Sequence, residues 1–351
     1  MLGFVLQETW NNTEQNKTTP ENFNDVFPAV WIQLTMAVLS LLGSASIVYA
    51  TFQHLIRITE FQPLFLLSVT DFILAVSWLI EAVLLIRHCD NHGIFYNLST
   101  VEQTLLMVSY FYTLNYVWTL YSGLKDKFYR SLNGCPVQCA TKQNSFSKVP
   151  AVLSCVLPVV LMVPVFVTGN VDYCYTNFSQ PYIDFTMDSA CRLLDMYTFA
   201  VSLAAFIVTI VGIVVLMVKA CTIYRRCVTS SGFLGDKQWA SLRVLERRML
   251  LYPSVFLFCW GPAVLVGVVY LSIPKTSDGV IGVILSILKA CTSCSHGLLN
   301  SLVYGWTQRA FRVASKDAFR DMDTQTPLLR SQKKGYNTLW SSPSPNSRGR
   351  S

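Results

Sequence analysis

Six polar side chains recur at steps of three or four residues within the apolar segment 280–304. They are Ser286, Lys289, Ser293, His296, Asn300 and Tyr304. This spacing places all six on one face of an α-helix. An ionised side chain at the centre of a bilayer costs about 2.5–3.5 kcal/mol on insertion scales. We therefore expect this polar face to point into the interior of a helix bundle.

Two acids lie in the apolar segment 63–86, where Glu81 follows Asp71 at a distance of ten residues. A helix rises about 1.5 Å per residue, so these acids are about 15 Å apart along its axis, and Lys289 and Asn300 are separated by about 16 Å. If the two helices are antiparallel neighbours and Asp71 lies level with Asn300, Glu81 lies level with Lys289. The sequence thus predicts a hydrated polar centre at Asp71 and Asn300, and an ion pair between Glu81 and Lys289 nearer the outer surface.

Both predicted pairs have a structural and a functional interpretation. The ion pair of Glu81 and Lys289 either neutralises two charges to permit insertion or also contacts a ligand; alternatively, Lys289 extends toward the outer interface. Asp71 is either a buried acid in a helix-packing network or part of a conformational switch.

The segment 250–273 contains the sequence FCWGPA, in which Trp260 closely precedes Pro262. Proline removes a backbone hydrogen bond and kinks a helix. Trp260 would move with any change in that kink. It is therefore predicted to be either a lever in a conformational switch or an aromatic side chain packed beside a permanent kink.

The distribution of histidine argues against a metal-dependent enzyme. The chain has four histidines, His54, His88, His92 and His296, and His296 alone lies well inside an apolar segment. A zinc site needs three or four ligands. We therefore expect no enzymatic activity, no metal and no cofactor. A retinal Schiff base on Lys289 would reveal itself by visible absorption, which we do not expect, and the internal repeats that are usual in transporters are not seen.

These side chains belong to a polytopic membrane protein. Of 351 residues, 52% are hydrophobic and 13% are charged, about half the charged share of an average soluble domain, and the mean hydropathy is +0.41. Such values exclude soluble, disordered and fibrous proteins. The apolar residues form seven blocks of about the 20 residues that a bilayer-spanning helix needs. They are 28–53, 63–86, 101–122, 149–169, 193–218, 250–273 and 280–304, of which the third is the least apolar. The predicted fold is an all-α bundle of seven transmembrane helices.

Charge and glycosylation signals give the orientation of this bundle. Segments 123–148, 220–249 and 305–351 contain five, six and nine Lys and Arg residues, as is typical of cytoplasmic loops. Four Asn-x-Ser/Thr acceptors lie in the opposite segments, at Asn11, Asn16, Asn97 and Asn177. We therefore expect an extracellular or lumenal amino terminus, a cytoplasmic carboxyl terminus and no cleaved signal peptide. The net charge of +7 marks the cytoplasmic face rather than a nucleic-acid-binding domain.

Three cysteines, Cys89, Cys174 and Cys191, lie in the predicted outer segments, where disulfides form. They allow one bridge. A bridge from Cys89 to the 170–192 loop would hold that loop over the mouth of the bundle; its partner is either Cys174 or Cys191, and a bridge between those two is equally permitted.

Four parts of the chain follow from these patterns. Residues 1–27 are predicted to be an extracellular glycosylated segment, and 28–304 the seven-transmembrane domain. Residues 305–320 are predicted to form an amphipathic helix on the inner leaflet, and 321–351 a disordered cytoplasmic tail.

Several short motifs resemble those of G-protein-coupled receptors. The receptors' Cys-Trp-x-Pro hinge resembles the sequence FCWGPA. Their Asn-Pro-x-x-Tyr motif resembles NSLVY at 300–304, in which Ser301 takes the place of proline. Their helix-2 segment, which ends in a buried Asp, resembles LSVTD at 67–71. The cytoplasmic end of the third block reads YSGLKDK and lacks the receptors' Asp/Glu-Arg-Tyr motif. The combination of motifs is more similar to the cyclic-AMP receptor group than to rhodopsin-like receptors.

A more specific resemblance covers residues 150 to 333. The segments AVLSCVLPVVLMVPVF, GFLGDKQWA, FCWGPAV, GLLN, VYGWTQ and DTQTPLL are similar to the transmembrane protein 116 family. This family implies a receptor-like fold but supplies no ligand. The resemblance to receptors implies that Asp71, Trp260, Pro262, Asn300 and Tyr304 form a two-state core. It also implies a heterotrimeric G protein as partner, besides membrane lipid and an unidentified ligand. The alternative is a trafficking or scaffold protein that keeps the fold without coupling, which the missing helix-3 arginine favours.

Overall fold

The computed structural model describes residues 23–55, 62–87, 92–133, 148–174, 189–229, 236–272 and 280–324. Every regular element in these ranges is an α-helix, so the predicted all-α class is confirmed for this part of the chain. The helices are α1 (Phe23–Leu55), α2 (Gln62–Ile86), α3 (His92–Asn133), α4 (Lys148–Val171), α5 (Ser189–Thr229), α6 (Asp236–Ser272), α7 (Val280–Cys294) and α8 (His296–Thr324).

Five of these helices are long and apolar enough to cross a membrane. The spans are Pro28–Phe52, Pro63–Ile86, Val149–Val171, Ala190–Arg226 and Arg247–Val269. The bent pair Ile281–Cys294 and His296–Arg309 makes a sixth if it is counted as one span. The chain is therefore a multi-pass membrane protein with five or six candidate spans by this criterion, and α3 does not meet it.

Helix α3 lies at the centre of the described helices despite its polar composition. It packs against α2, α4, α5 and α6. Its polar side chains are directed inward, and those that are buried include Glu102, Gln103, Ser109, Thr113 and Asn115. The low hydropathy of α3 thus results from polar side chains that face other helices rather than lipid.

The surface that surrounds these helices is apolar. Helix α4 exposes Val152, Leu153, Val156, Val160 and Val163. Five exposed aliphatic side chains on one helix would be an aggregation-prone patch in water. They are the expected surface of a helix that faces lipid acyl chains.

The last predicted span is broken at Ser295, and α7 and α8 meet there at an angle of 42°. The Ser295 hydroxyl donates to the carbonyl oxygen of Thr292 at 2.7 Å, and hydroxyl bonds to the preceding turn bend helices. The predicted boundary between span and surface helix at 304/305 is not a break, because α8 runs through it to Thr324. Ser301 keeps the backbone N–H that a proline at this position would remove.

Candidate functional site

Asp71 is the centre of a buried hydrogen-bond network that joins α2, α3 and α8. Its Oδ1 accepts from the Ser109 hydroxyl at 3.2 Å and lies 3.0 Å from His296 Nδ1. Its Oδ2 accepts from Asn300 Nδ2 at 2.9 Å. All four side chains are buried. The contact between Asp71 and Asn300 that the height comparison predicted is therefore present, and Ser109 and His296 complete it.

The geometry of the network indicates which imidazole nitrogen carries the proton. A carboxylate only accepts hydrogen bonds, so His296 Nδ1, which faces Asp71, is the donor. Asn300 Nδ2 lies 3.4 Å from His296 Nε2. Its two hydrogens can serve Asp71 and Nε2, and a neutral His296 then satisfies every contact.

Close packing between α1 and α8 fixes the position of His296. The backbone N–H of Gly297 donates to the Ser40 hydroxyl at 3.0 Å. Gly43 lies opposite, where an added Cβ would be 2.9 Å from the Gly297 carbonyl oxygen. Small residues permit such an approach between helices in a membrane. The paired glycines hold the start of α8 against α1 and thereby direct His296 toward Asp71.

Trp260 connects the network to α6. Its ring is fully buried and lies 5.4 Å from the ring of His296, between ring centroids. The corresponding distances are 5.6 Å to Tyr110 of α3 and 6.2 Å to Trp78 of α2. Pro262 follows within α6, which continues through it. One indole ring thus contacts aromatic side chains of three other helices, directly beside the proline.

Tyr304 lies one turn beyond Asn300 on α8. Its ring is half-buried and packs against the main hydrophobic core. Its carbonyl oxygen accepts from the Thr307 hydroxyl at 3.1 Å. The structure therefore places Tyr304 on the same helix as the network, with a packing role among the described contacts.

A cavity of about 60 Å³ lies on the other side of Trp260. The side chains that line it come from α2, α3, α5, α6 and α7; they are Leu74, Trp78, Glu102, Gln103, Leu106, Tyr110, Phe199, Ser202, Leu203, Trp260, Ala263, Val264, Lys289 and Ser293. One water molecule needs about 10–15 Å³ of such space, so the cavity has room for several. Its walls combine aromatic rings with two ionisable groups, Glu102 and Lys289.

The predicted pair of Glu81 and Lys289 is part of a larger cluster. The carboxylate of Glu81 accepts a hydrogen bond from Gln33 Nε2 of α1 at 2.7 Å. Glu81, Glu102 and Lys289 are all buried and interact electrostatically with one another. Sequence reasoning missed Gln33 and Glu102. Glu102 precedes Ser109 by seven residues, about 10 Å along α3, and the height comparison applied to α3 would have found it.

Two further contacts stabilise the end of the bundle where α4 is followed by α5. Cys174 and Cys191 form a disulfide with their Cα atoms 5.6 Å apart, which is one of the pairings that the sequence permitted. Both sulfur-bearing residues pack against Tyr96, whose hydroxyl donates to the Val165 carbonyl oxygen at 3.0 Å. This disulfide links the end of α4 to the start of α5, while Cys89 lies outside the described residues.

The predicted glycosylation sites are mostly outside the described ranges, as Asn11, Asn16 and Asn177 are. Asn97 lies in the first turns of α3, where its Oδ1 accepts from Asn170 Nδ2 at 2.8 Å. Its modification remains a prediction.

In the described ranges, no cluster of three or more His, Cys, Asp or Glu side chains has the arrangement to hold a metal ion.

The family model for transmembrane protein 116 matches residues 27–338, which is most of the chain.

Proposed function

The chain belongs to the transmembrane protein 116 family, and we propose that it acts as a receptor-like protein that converts ligand binding in the cavity into movement of α6. The observation that carries this proposal is the position of Trp260. Its ring lines the cavity and also packs on His296, which contacts Asp71. A ligand that displaces the indole would act on the network and on the proline-containing segment of α6 together.

The proposal includes a seventh membrane span formed by α3. Its contacts with four helices and its inward-facing polar side chains support this assignment. With seven spans, the acidic amino-terminal segment lies outside and the basic loops inside, in agreement with the distribution of Lys and Arg. A six-span arrangement would place some glycosylation acceptors on the cytoplasmic side.

The size of the cavity supports coupling between binding and movement. Ligand pockets usually measure about 300–1,000 Å³, whereas this cavity is about 60 Å³. A ligand of the usual size therefore requires the lining helices to separate. Binding then favours the wider conformation by its difference in affinity for the two states.

Signalling through a heterotrimeric G protein is the test of this function. Dissociation sensors would be compared in cells that express wild type, Trp260→Ala, Asn300→Ala and a control, Trp118→Ala, at equal levels. Trp118 is 51% exposed on α3, so its replacement removes the same side chain without touching the network. We expect a basal signal that both network variants lose and the control retains.

The alternative is a trafficking or scaffold protein with the same fold. One observation favours it, since the cytoplasmic part of α3 reads YSGLKDK and contains no arginine in that motif. A signal that is equal in all four proteins and in untransfected cells would support this alternative, and proximity labelling from the carboxyl-terminal tail would then identify the partners.

A further inference from the structure

Polar atoms without a partner converge on the cavity. Glu102 Oε1, Trp260 Nε1 and Ser293 Oγ are buried, line the cavity, and have no hydrogen-bond partner within the described part of the chain. Glu102 is 4% exposed, Ser293 3% and Trp260 0%. A buried polar atom that lacks a partner is costly, and three around one space are the expected lining of a site for a polar ligand.

The charges around the cavity favour a cation. Among the described residues of this cluster, the two carboxylates of Glu81 and Glu102 face one ammonium group, that of Lys289. The cluster therefore has an excess of one negative charge when all three groups are ionised. Glu81 also has Gln33 as a hydrogen-bond donor, which leaves Glu102 as the acid that faces the open space.

Aromatic rings line the same space. Trp78, Tyr110 and Trp260 form three of its sides, and the faces of such rings attract organic cations. The indole N–H of Trp260 is a donor only, so it matches a neutral oxygen on the ligand rather than a second ammonium group.

We infer that the cavity binds the ammonium group of a small amine that also carries a neutral hydrogen-bond acceptor, such as an amino alcohol, with Glu102 as the counterion. The ammonium group donates to Glu102 Oε1, the ligand oxygen accepts from Trp260 Nε1, and Ser293 serves either group. A small amine of this kind is the ligand class for the receptor function proposed above. Its binding does not depend on that function, whereas the effect of binding on α6 does.

Ethanolamine is a suitable probe, because it has four heavy atoms and both groups. Ethylene glycol replaces its ammonium by a hydroxyl at nearly the same size, propylamine replaces its hydroxyl by a methyl group, and glycolate carries the opposite charge. The full-length protein in lipid nanodiscs would be heated with each compound over a concentration series, at equal ionic strength. Apparent affinities follow from the rise of the unfolding temperature with concentration.

We expect ethanolamine to bind about tenfold or more tightly than ethylene glycol, because hydrogen bonds to charged groups are stronger than neutral ones. Propylamine should be intermediate. Glu102→Gln should abolish the advantage of ethanolamine over the glycol. Asp195→Asn is the matched control, since it removes a carboxylate of α5 that neither lines the cavity nor belongs to the network, and it should preserve the advantage.

Three results would overturn the inference: equal stabilisation by ethanolamine and ethylene glycol in wild type, stronger stabilisation by glycolate, or an ethanolamine advantage that persists in Glu102→Gln. The wild-type comparison is decisive even if the Glu102 variant does not fold. Binding through Glu102 without any movement of α6 would uphold the inference and refute the proposed function instead.

Discussion

Replacement of Gly297 by alanine is the sharpest test of how the site is held together. Gly297 lies where α8 meets α1, directly after His296. An added Cβ would collide with the hydroxyl of Ser44, and would lie 2.5 Å from the hydroxyl and 2.9 Å from the carbonyl oxygen of Ser40. One of these atoms belongs to the backbone of α1, and the other two are on short serine side chains close to that backbone. Helix α8 must therefore move away from α1.

The expected cost follows from two contributions. Overpacking in a closely packed region costs about 1–3 kcal/mol. Separation of the helices also lengthens the hydrogen bond from Gly297 N–H to the Ser40 hydroxyl, which contributes about 1 kcal/mol. The two together amount to about 2–4 kcal/mol. Alanine also raises helix propensity by up to about 1 kcal/mol, and a control must remove that gain from the comparison.

Gly305 supplies this control, because nothing lies within 4 Å of its added Cβ. The free energy of unfolding would be measured by detergent titration for Gly297→Ala and Gly305→Ala. We expect Gly305→Ala to be neutral or slightly stabilising, and Gly297→Ala to be less stable than it by about 2–4 kcal/mol.

A second substitution identifies the colliding atom. Ser44→Ala removes the hydroxyl that the new Cβ meets, and that hydroxyl has no partner among the described residues. Ser44→Ala should therefore restore part of the stability lost in Gly297→Ala and cost little alone. Equal stability of the two glycine variants, or no recovery in the double variant, would refute this account of α1 and α8.

Three further predictions concern the rest of the structure. Asp71→Ala should lower the free energy of unfolding by about 3 kcal/mol or more, because three buried donors lose their acceptor at about 1–3 kcal/mol each, and detergent titration would measure it; a loss below about 1 kcal/mol would contradict the network. Replacing Cys174 or Cys191 by serine should lower the free energy of unfolding by about 3 kcal/mol, as expected for a short closed loop. A non-reducing digest of wild type should contain the two linked peptides, and a digest without them would contradict the pairing. Gly169→Ala should lower the free energy of unfolding, since its Cβ would occupy the position of the Tyr96 hydroxyl, and Tyr96→Phe should restore part of the loss in the same detergent titration.

Periodicity and height account for what the sequence predicted about the site. Periodicity placed Asp71 and Asn300 on inward faces of their helices, and once these two were taken to lie level, the constant rise per residue put Glu81 level with Lys289. The role of His296 was less accessible, since its contact with Asp71 depends on the bend at Ser295. That bend arises from a side-chain hydrogen bond, which hydropathy does not record.

Helix rotation limited the remaining predictions. Lys289 was the only evident partner for Glu81 by charge, whereas Gln33 reaches its carboxylate because of the way α1 is turned toward α2. The third apolar block was the weakest by composition, yet it forms the central helix, because its buried polar side chains face other helices rather than lipid. Neither the contact of Gln33 with Glu81 nor the central position of α3 can be read from one sequence alone.

The proposed receptor function requires that α6 moves when the contacts of Trp260 with the network change. Leu250 lies twelve residues before Pro262 on α6, about 18 Å along its axis. A change of about 10° in the direction of α6 at Pro262 would displace Leu250 by about 3 Å. Spin labels introduced as unnatural amino acids at Leu250 and Val152, both exposed, would report the distance between α6 and α4.

This pair of labels, measured by pulsed electron resonance in nanodiscs, is the most direct test. We predict two distance populations separated by about 3 Å or more in wild type, and a shift toward one of them in both Trp260→Ala and Asn300→Ala. A single distribution, unchanged by either substitution, would contradict the account.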